Sequence, residues 1–196
     1  MKKLVLAVFA LAVVFGFNAG NASAQMMKDD KAMMKGGNPM VGGAAMYKNK
    51  DIVDNAVNSK DHTTLVAAVK AAGLVDTLKG KGPFTVFAPT NSAFDALPAG
   101  TVDMLLKPEN KAMLTKVLTY HVVAGNMDSK KIMKAIKKGN GKAMLKTVSG
   151  GMLTASMDGD MLVLTDEKGG MSRVTIANVK QSNGVIHVVD TVLMPS

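Results

Sequence analysis

At 196 residues and 20.5 kDa, with 47% hydrophobic and 20% charged residues, the chain has the composition of one globular domain with additional segments. This is not a collagen, a coiled coil or a wholly disordered tail. It contains no cysteine, which excludes a disulfide framework, a thiolate nucleophile, a Cys-based zinc site and a lipid-carrying N-terminal cysteine. Basic residues number 24 against 15 acidic ones, for a formal charge of +9, and Arg173 is the single arginine. The positive charge is therefore lysine, a point charge without the bidentate fork that base or carboxylate recognition favours.

Lys2 and Lys3 precede an apolar run from Leu4 to Phe17, and Ala22-Ser23-Ala24 fits a small-x-small cleavage site, so residues 1–24 read as a secretory signal peptide. The run is shorter than the roughly 20 residues that a spanning helix needs. These features predict a secreted or periplasmic protein that does not span a membrane. Residues 25–46 mix Met, Lys, Asp and Gly without a sustained apolar period and read as a flexible tether. Met26, Met27, Met33, Met34, Met40 and Met46 lie in it. Their soft thioethers suit Cu(I), against the plainer reading of biased linker composition.

From 47 to 196 the composition becomes that of a domain. Ile52, Val53, Ala56 and Val57, then Leu65, Val69 and Ala72, recur at helical spacing until Gly80, Gly82 and Pro83 end the run. Phe84 to Ala88 alternates as a short strand stopped by Pro89, and Thr90, Asn91 or Ser92 can cap the next helical turn. Thr101 can cap Val102 to Leu106, and Pro108 opens a helix carrying Met113, Leu114, Val117 and Leu118 inward. A strand is expected at Tyr120 to Val123, then a lysine-rich helix at 129–138. Beyond it come short β-branched segments, with a hairpin signal at Asp158-Gly159. Helices early and strands late predict an α+β domain with a largely antiparallel sheet.

Three segments taken together, GPFTVFAPTNSAFDALP at 82–98, LTYHVVAG at 118–125 and NGVIHVVDTVLMP at 183–195, resemble the fasciclin-type (FAS1) domain in its single-domain secreted bacterial form. The resemblance covers residues 47–195 in order. It implies a β-wedge of two mainly antiparallel sheets with helices packed along one side, and an adhesion or binding role at a cell surface, matrix or protein partner, without catalysis. It also marks Tyr120 and His121 as a packing anchor associated with adhesion. Phe84, Pro89, Thr90, Asn91, His187 and Asp190 are read as structural residues of the motif. A buried His121 needs a backbone partner or a polar neighbour such as Asn91, and His187 and Asp190 likewise need partners. His62 stands where the family usually has an aromatic residue and is expected to be half-exposed.

Several chemistries find no support in the spacing. Histidines 62, 121 and 187 form no metal-ligand pattern, Asp158 and Asp160 fit a turn better than a calcium loop, and no nucleophile elbow or phosphate loop is present. No metal, cofactor or enzymatic activity is expected. The run SKKIMKAIKKGNGK places Lys130, Lys131, Lys134, Lys137 and Lys138 on an arc of roughly 120° of a helix, with Ile132, Met133, Ala135 and Ile136 opposite. Such a stripe can attract an anionic polysaccharide, an envelope component or an acidic protein by long-range electrostatics, while a merely solvated face is the alternative. Nucleic acid is not expected, because the chain lacks the arginines and aromatics that read or stack on bases. A lipophilic small molecule such as a carotenoid, held along the helices, is the second functional reading that the resemblance implies.

Overall fold

The computed structural model describes residues 34–35 and 37–196. The expected signal peptide and residues 25–33 and 36 of the expected tether lie outside the described residues. Seven α-helices are described: α1 (Ile52–Ala56), α2 (Thr63–Ala72), α3 (Val75–Lys79), α4 (Asn91–Asp95), α5 (Thr101–Leu106), α6 (Lys111–Tyr120) and α7 (Ser129–Lys138). The strands are β1 (Met34–Lys35), β2 (Asn38–Val41), β3 (Ala44–Ala45), β4 (Phe84–Pro89), β5 (Val122–Ala124), β6 (Lys142–Lys146), β7 (Met152–Asp158), β8 (Met161–Thr165), β9 (Met171–Gln181) and β10 (Gly184–Val189).

Local chemistry accounts for most boundaries. Asp51 caps α1 by accepting from the Asp54 amide at 2.8 Å, and Asp128 caps α7 by accepting from the Lys131 amide at 2.9 Å. Gly73 ends α2 with φ of 73°, a left-handed conformation natural to glycine. Thr90 is the N-cap residue of α4, but its hydroxyl meets Ser92 Oγ instead of a free amide. Asn91 works across the fold: its Oδ1 accepts from the Thr64 amide at 3.0 Å, capping the first turn of α2, and its Nδ2 donates to Lys60 O at 2.8 Å.

Hydrogen bonding runs through seven strands in the order β5-β4-β10-β9-β8-β7-β6, with β4–β10 the parallel pair and the others antiparallel. The wedge's two sheets are joined at β9, which pairs with β8 at its start and with β10 along its length. A bridge between Val123 and Thr147 draws the two ends of the order together. Phe84, Val86 and Ala88 point to a first core with Val69, Leu114 and Leu118 from the helices. Phe87 points to a second core with Leu153, Leu164, Val189 and Leu193, closed by Ile132 and Ile136 of α7. The hairpin between β7 and β8 pairs Asp158 with Met161, so its two loop residues are Gly159 and Asp160, one step beyond the expected turn.

Two expectations need correction. Tyr120 is the last residue of α6, not the start of a strand, and β5 begins at Val122. The cause is the last turn itself, where His121 Nδ1 lies 2.9 Å from Val117 O, one of the carbonyls a helix end leaves free. The folded unit also begins before Tyr47. Residues 38–46 form β2 and β3 and bury Val41 and Met46 in the first core. Gly42, with φ of 56°, passes so close to the chain at 59–61 that a Cβ there would meet Ser59 Oγ and lie 2.6 Å from the Asp61 nitrogen. Met46, counted among the candidate Cu(I) thioethers, is thereby packed away from solvent.

Candidate functional site

Tyr120 is fully buried, and its hydroxyl donates to Met152 O at 2.8 Å while accepting from the Glu167 amide at 3.2 Å. Burial raises this phenol above its ordinary range. His121 is buried beside it in an edge-on arrangement with ring centroids 6.5 Å apart. The Leu193 amide donates to His121 Nε2 at 3.0 Å, which assigns the proton to Nδ1 and its bond to Val117 O. The pair therefore ties the end of α6 to the start of β7, the β8–β9 loop and the C-terminal segment. It presents no contact surface, so the adhesion role expected of Tyr120 and His121 has no accessible side chain to carry it, and its physical content is positioning.

The other histidines are structural in placement as well. His187 is fully buried, donates from Nε2 to Met127 O at 2.9 Å and stacks on Phe87 with centroids 5.6 Å apart. His62 is buried, not half-exposed, because β2 and β3 cover its neighbourhood, and its Nδ1 meets Ser59 Oγ at 2.9 Å. Asp190 has the partners it needed, accepting from the Arg173 amide at 2.8 Å and the Thr191 hydroxyl at 3.0 Å. Among the described residues, no group of three His, Asp or Glu side chains is placed to hold a metal ion.

Burial lowers the pKa of all three histidines, because desolvation disfavours the charged ring. In the unfolded chain they titrate near the ordinary value of about 6.5. Below that pH the unfolded state takes up protons that the native state refuses, so stability is complete above about 6.5 and erodes as pH falls from there toward the lowered native values. The urea midpoint is expected to fall steadily between neutral and mildly acidic pH. A midpoint that stays flat across that interval would show that the histidines are protonated without loss of packing.

The exposed counterpart is α7. Ile132 and Ile136 are buried in the second core, and Lys130, Lys131, Lys134, Lys137 and Lys138 are all exposed. Lys131 Nζ donates to Asn126 O at 2.7 Å. Ion pairs among the described residues use Lys79 with Asp51 and Asp54, and Arg173 with Asp158, leaving the α7 lysines without a carboxylate. The helix is pinned at its start, where Asn178 exchanges hydrogen bonds with the Ser129 amide at 2.8 Å and hydroxyl at 2.7 Å. Lys142 and Lys146 are exposed on the outward side of β6, whose inward residues Ala143 and Leu145 pack with α7 in the second core.

A separate apolar groove lies where α1, α2 and α3 meet β4 and the end of α6. Ile52, Val69, Leu74, Val86 and Leu118 line it, Lys70 stands at its edge, and its free volume is about 70 Å³. The lining is largely branched aliphatic.

Residues 60–195 match the family model for the fasciclin domain. The chain belongs to the fasciclin family. It is 41% identical over 200 residues to Protein sll1483 of Synechocystis sp., a match covering 98% of each chain. It is 35% identical over 159 residues to the cell surface glycolipoprotein MPB83 of Mycobacterium bovis, covering 79% of this chain and 64% of that one. The FAS1 domain pair of the insect cell adhesion molecule Fasciclin I superposes with a TM-score of 0.66 at 16% identity, covering 74% of this chain and 51% of that one, a likeness of fold.

Within this fasciclin domain, Tyr120, His121 and the lysines of α7 all fall inside the matched range, whereas β2, β3 and α1 precede it. Sequence reasoning found the α7 stripe because its period is local. It missed the separate outward side of β6 that carries Lys142 and Lys146, although the alternation Lys142-Ala143-Met144-Leu145-Lys146 carried that signal. Among the described residues no helix is long and apolar enough to cross a membrane.

Proposed function

We propose that this fasciclin domain is a secreted or periplasmic adhesion module that holds an anionic polysaccharide of the cell envelope or matrix on the lysine face of α7. The observation that carries the reading is five exposed lysines on one rigid helix with no carboxylate partner among the described residues. Like charges at i, i+4, such as Lys130 with Lys134 and Lys134 with Lys138, destabilise a helix by about 0.2–0.5 kcal/mol per pair, so the stripe works against the fold that carries it. Buried imidazoles engaged with backbone groups favour a binding role over a catalytic one. The test is equilibrium binding of the purified full chain at low salt to a sulfated or carboxylated polysaccharide and to neutral dextran. Retention on the anionic polymer alone is expected, and equal or absent binding to both would overturn the reading.

The apolar groove favours a second reading, a carrier of a lipophilic small molecule. Its free volume is below the roughly 150 Å³ of a cavity that holds benzene, so a larger ligand would have to widen the groove by moving α1 or α3. Extraction of the protein purified from its native source, with absorption and mass spectra of the extract, tests it. A colourless, lipid-free extract would count against it.

A further inference from the structure

The run β6 to β9 buries one face, including Leu145, Leu153 and Leu164, in the second core. Strand alternation turns the other residues outward, and no helix among the described residues covers them. The register places Met144 and Met171 in one cross-strand row, with Thr154 and Thr165 between them. Both methionines are 62% exposed, the most exposed large apolar side chains among the described residues, and Met161 is 36% exposed on the same face. The next row carries Lys142 at one end and Arg173 at the other, and Lys146 pairs with Met152. Asp158, loosely paired with Arg173 at 3.9 Å, and Glu167, whose Oε1 accepts from the Met152 amide at 2.9 Å, bring two carboxylates to rows that carry Lys142, Lys146 and Arg173, which leaves an excess of one positive charge.

Exposed flexible thioethers interleaved with cations, of which Lys142 and Lys146 have no ion-pair partner among the described residues, are a combination that a water-soluble polyanion does not use. A hydrated polysaccharide rewards the lysines and leaves the methionines in water. An anionic bilayer surface rewards both: phosphates accept the cations, while apolar side chains enter the boundary between headgroups and acyl chains. We propose that this sheet face docks on a bilayer surface rich in anionic phospholipid, with Met144, Met161 and Met171 entering the interface and Lys142, Lys146 and Arg173 on the phosphates. The α7 face takes no part in this contact.

The test uses full-chain protein and vesicles of phosphatidylcholine with or without phosphatidylglycerol. Cosedimentation with the phosphatidylglycerol vesicles and not with phosphatidylcholine alone is expected. The double variant Met144→Ser/Met171→Ser should lose vesicle affinity on the order of tenfold while keeping its affinity for anionic polysaccharide. Lys142→Gln/Lys146→Gln should lose about fivefold per cation. Because the chain has no tryptophan, Met144→Trp is a clean reporter whose emission should shift to the blue on anionic vesicles. Absence of vesicle binding, equal binding by the Met→Ser variant, or an unshifted tryptophan overturns the proposal. So would self-association abolished by the same Met→Ser pair without vesicle binding, which would assign the face to a second copy of the chain.

Discussion

Tyr120→Ala is expected to destabilise the domain by about 3–5 kcal/mol, a large part of a single domain's stability. The ring is fully buried in the second core with Phe87, Leu153 and Leu193, and a Cβ added at Gly151 would lie 2.8 Å from its Cε2, so the space around it is filled. Tyr120→Phe separates ring from hydroxyl. It should lose about 1–2 kcal/mol, because the Met152 carbonyl and the Glu167 amide forfeit their shared partner. Urea denaturation of both variants reads these losses directly. The folded Phe variant should bind anionic polysaccharide as the native chain does. Full stability with lost binding would instead make Tyr120 a contact residue and return the adhesion role to the Tyr-His pair.

The second large effect is expected on binding alone. Replacing Lys130, Lys131, Lys134, Lys137 and Lys138 together by glutamine should weaken affinity for an anionic polysaccharide about 100-fold or more at low salt, on a scale of about 1 kcal/mol for each cation at an anionic surface. Stability should hold or rise slightly, since like-charge pairs along the helix are removed while Ile132 and Ile136 keep their packing. Loss of the favourable position of Lys137 and Lys138 at the negative end of the helix dipole offsets part of that gain. Binding isotherms and thermal unfolding of the same preparations separate the two quantities. A variant that binds as tightly as the native chain would show that the stripe only keeps the domain soluble.

Legibility in the sequence followed the range of the interactions involved. The α7 stripe and the alternation of Phe84 to Ala88 are local patterns, and they hold in the fold. The strap at 38–46 was invisible because its order comes from distant contacts. Its Met, Gly and Ala residues have little strand preference, and only the close approach of Gly42 to Lys60, with Val41 and Met46 reaching the first core, gives the segment a reason to settle. The Tyr120-His121-Val122-Val123 run reads as β-branched and aromatic, yet its first residue is helical, since the choice is made by a histidine bonding back to Val117. Asn91 looked like a cap for its own helix and caps α2 instead, 27 residues away in sequence. The methionine row on the outer sheet face needed the strand register, which spacing along the chain does not contain.

The central claim is that this fasciclin domain acts through exposed lysines while its buried Tyr-His pair only shapes the fold, and a salt titration of polysaccharide binding tests it most directly. If α7 makes the contact, the logarithm of the binding constant should fall linearly with the logarithm of salt concentration, with a slope reflecting release of about four to five counterions, as for any cation row on a polyanion. The slope should collapse in the five-glutamine variant. Binding that ignores salt, or a slope unchanged by the glutamines, would contradict the account.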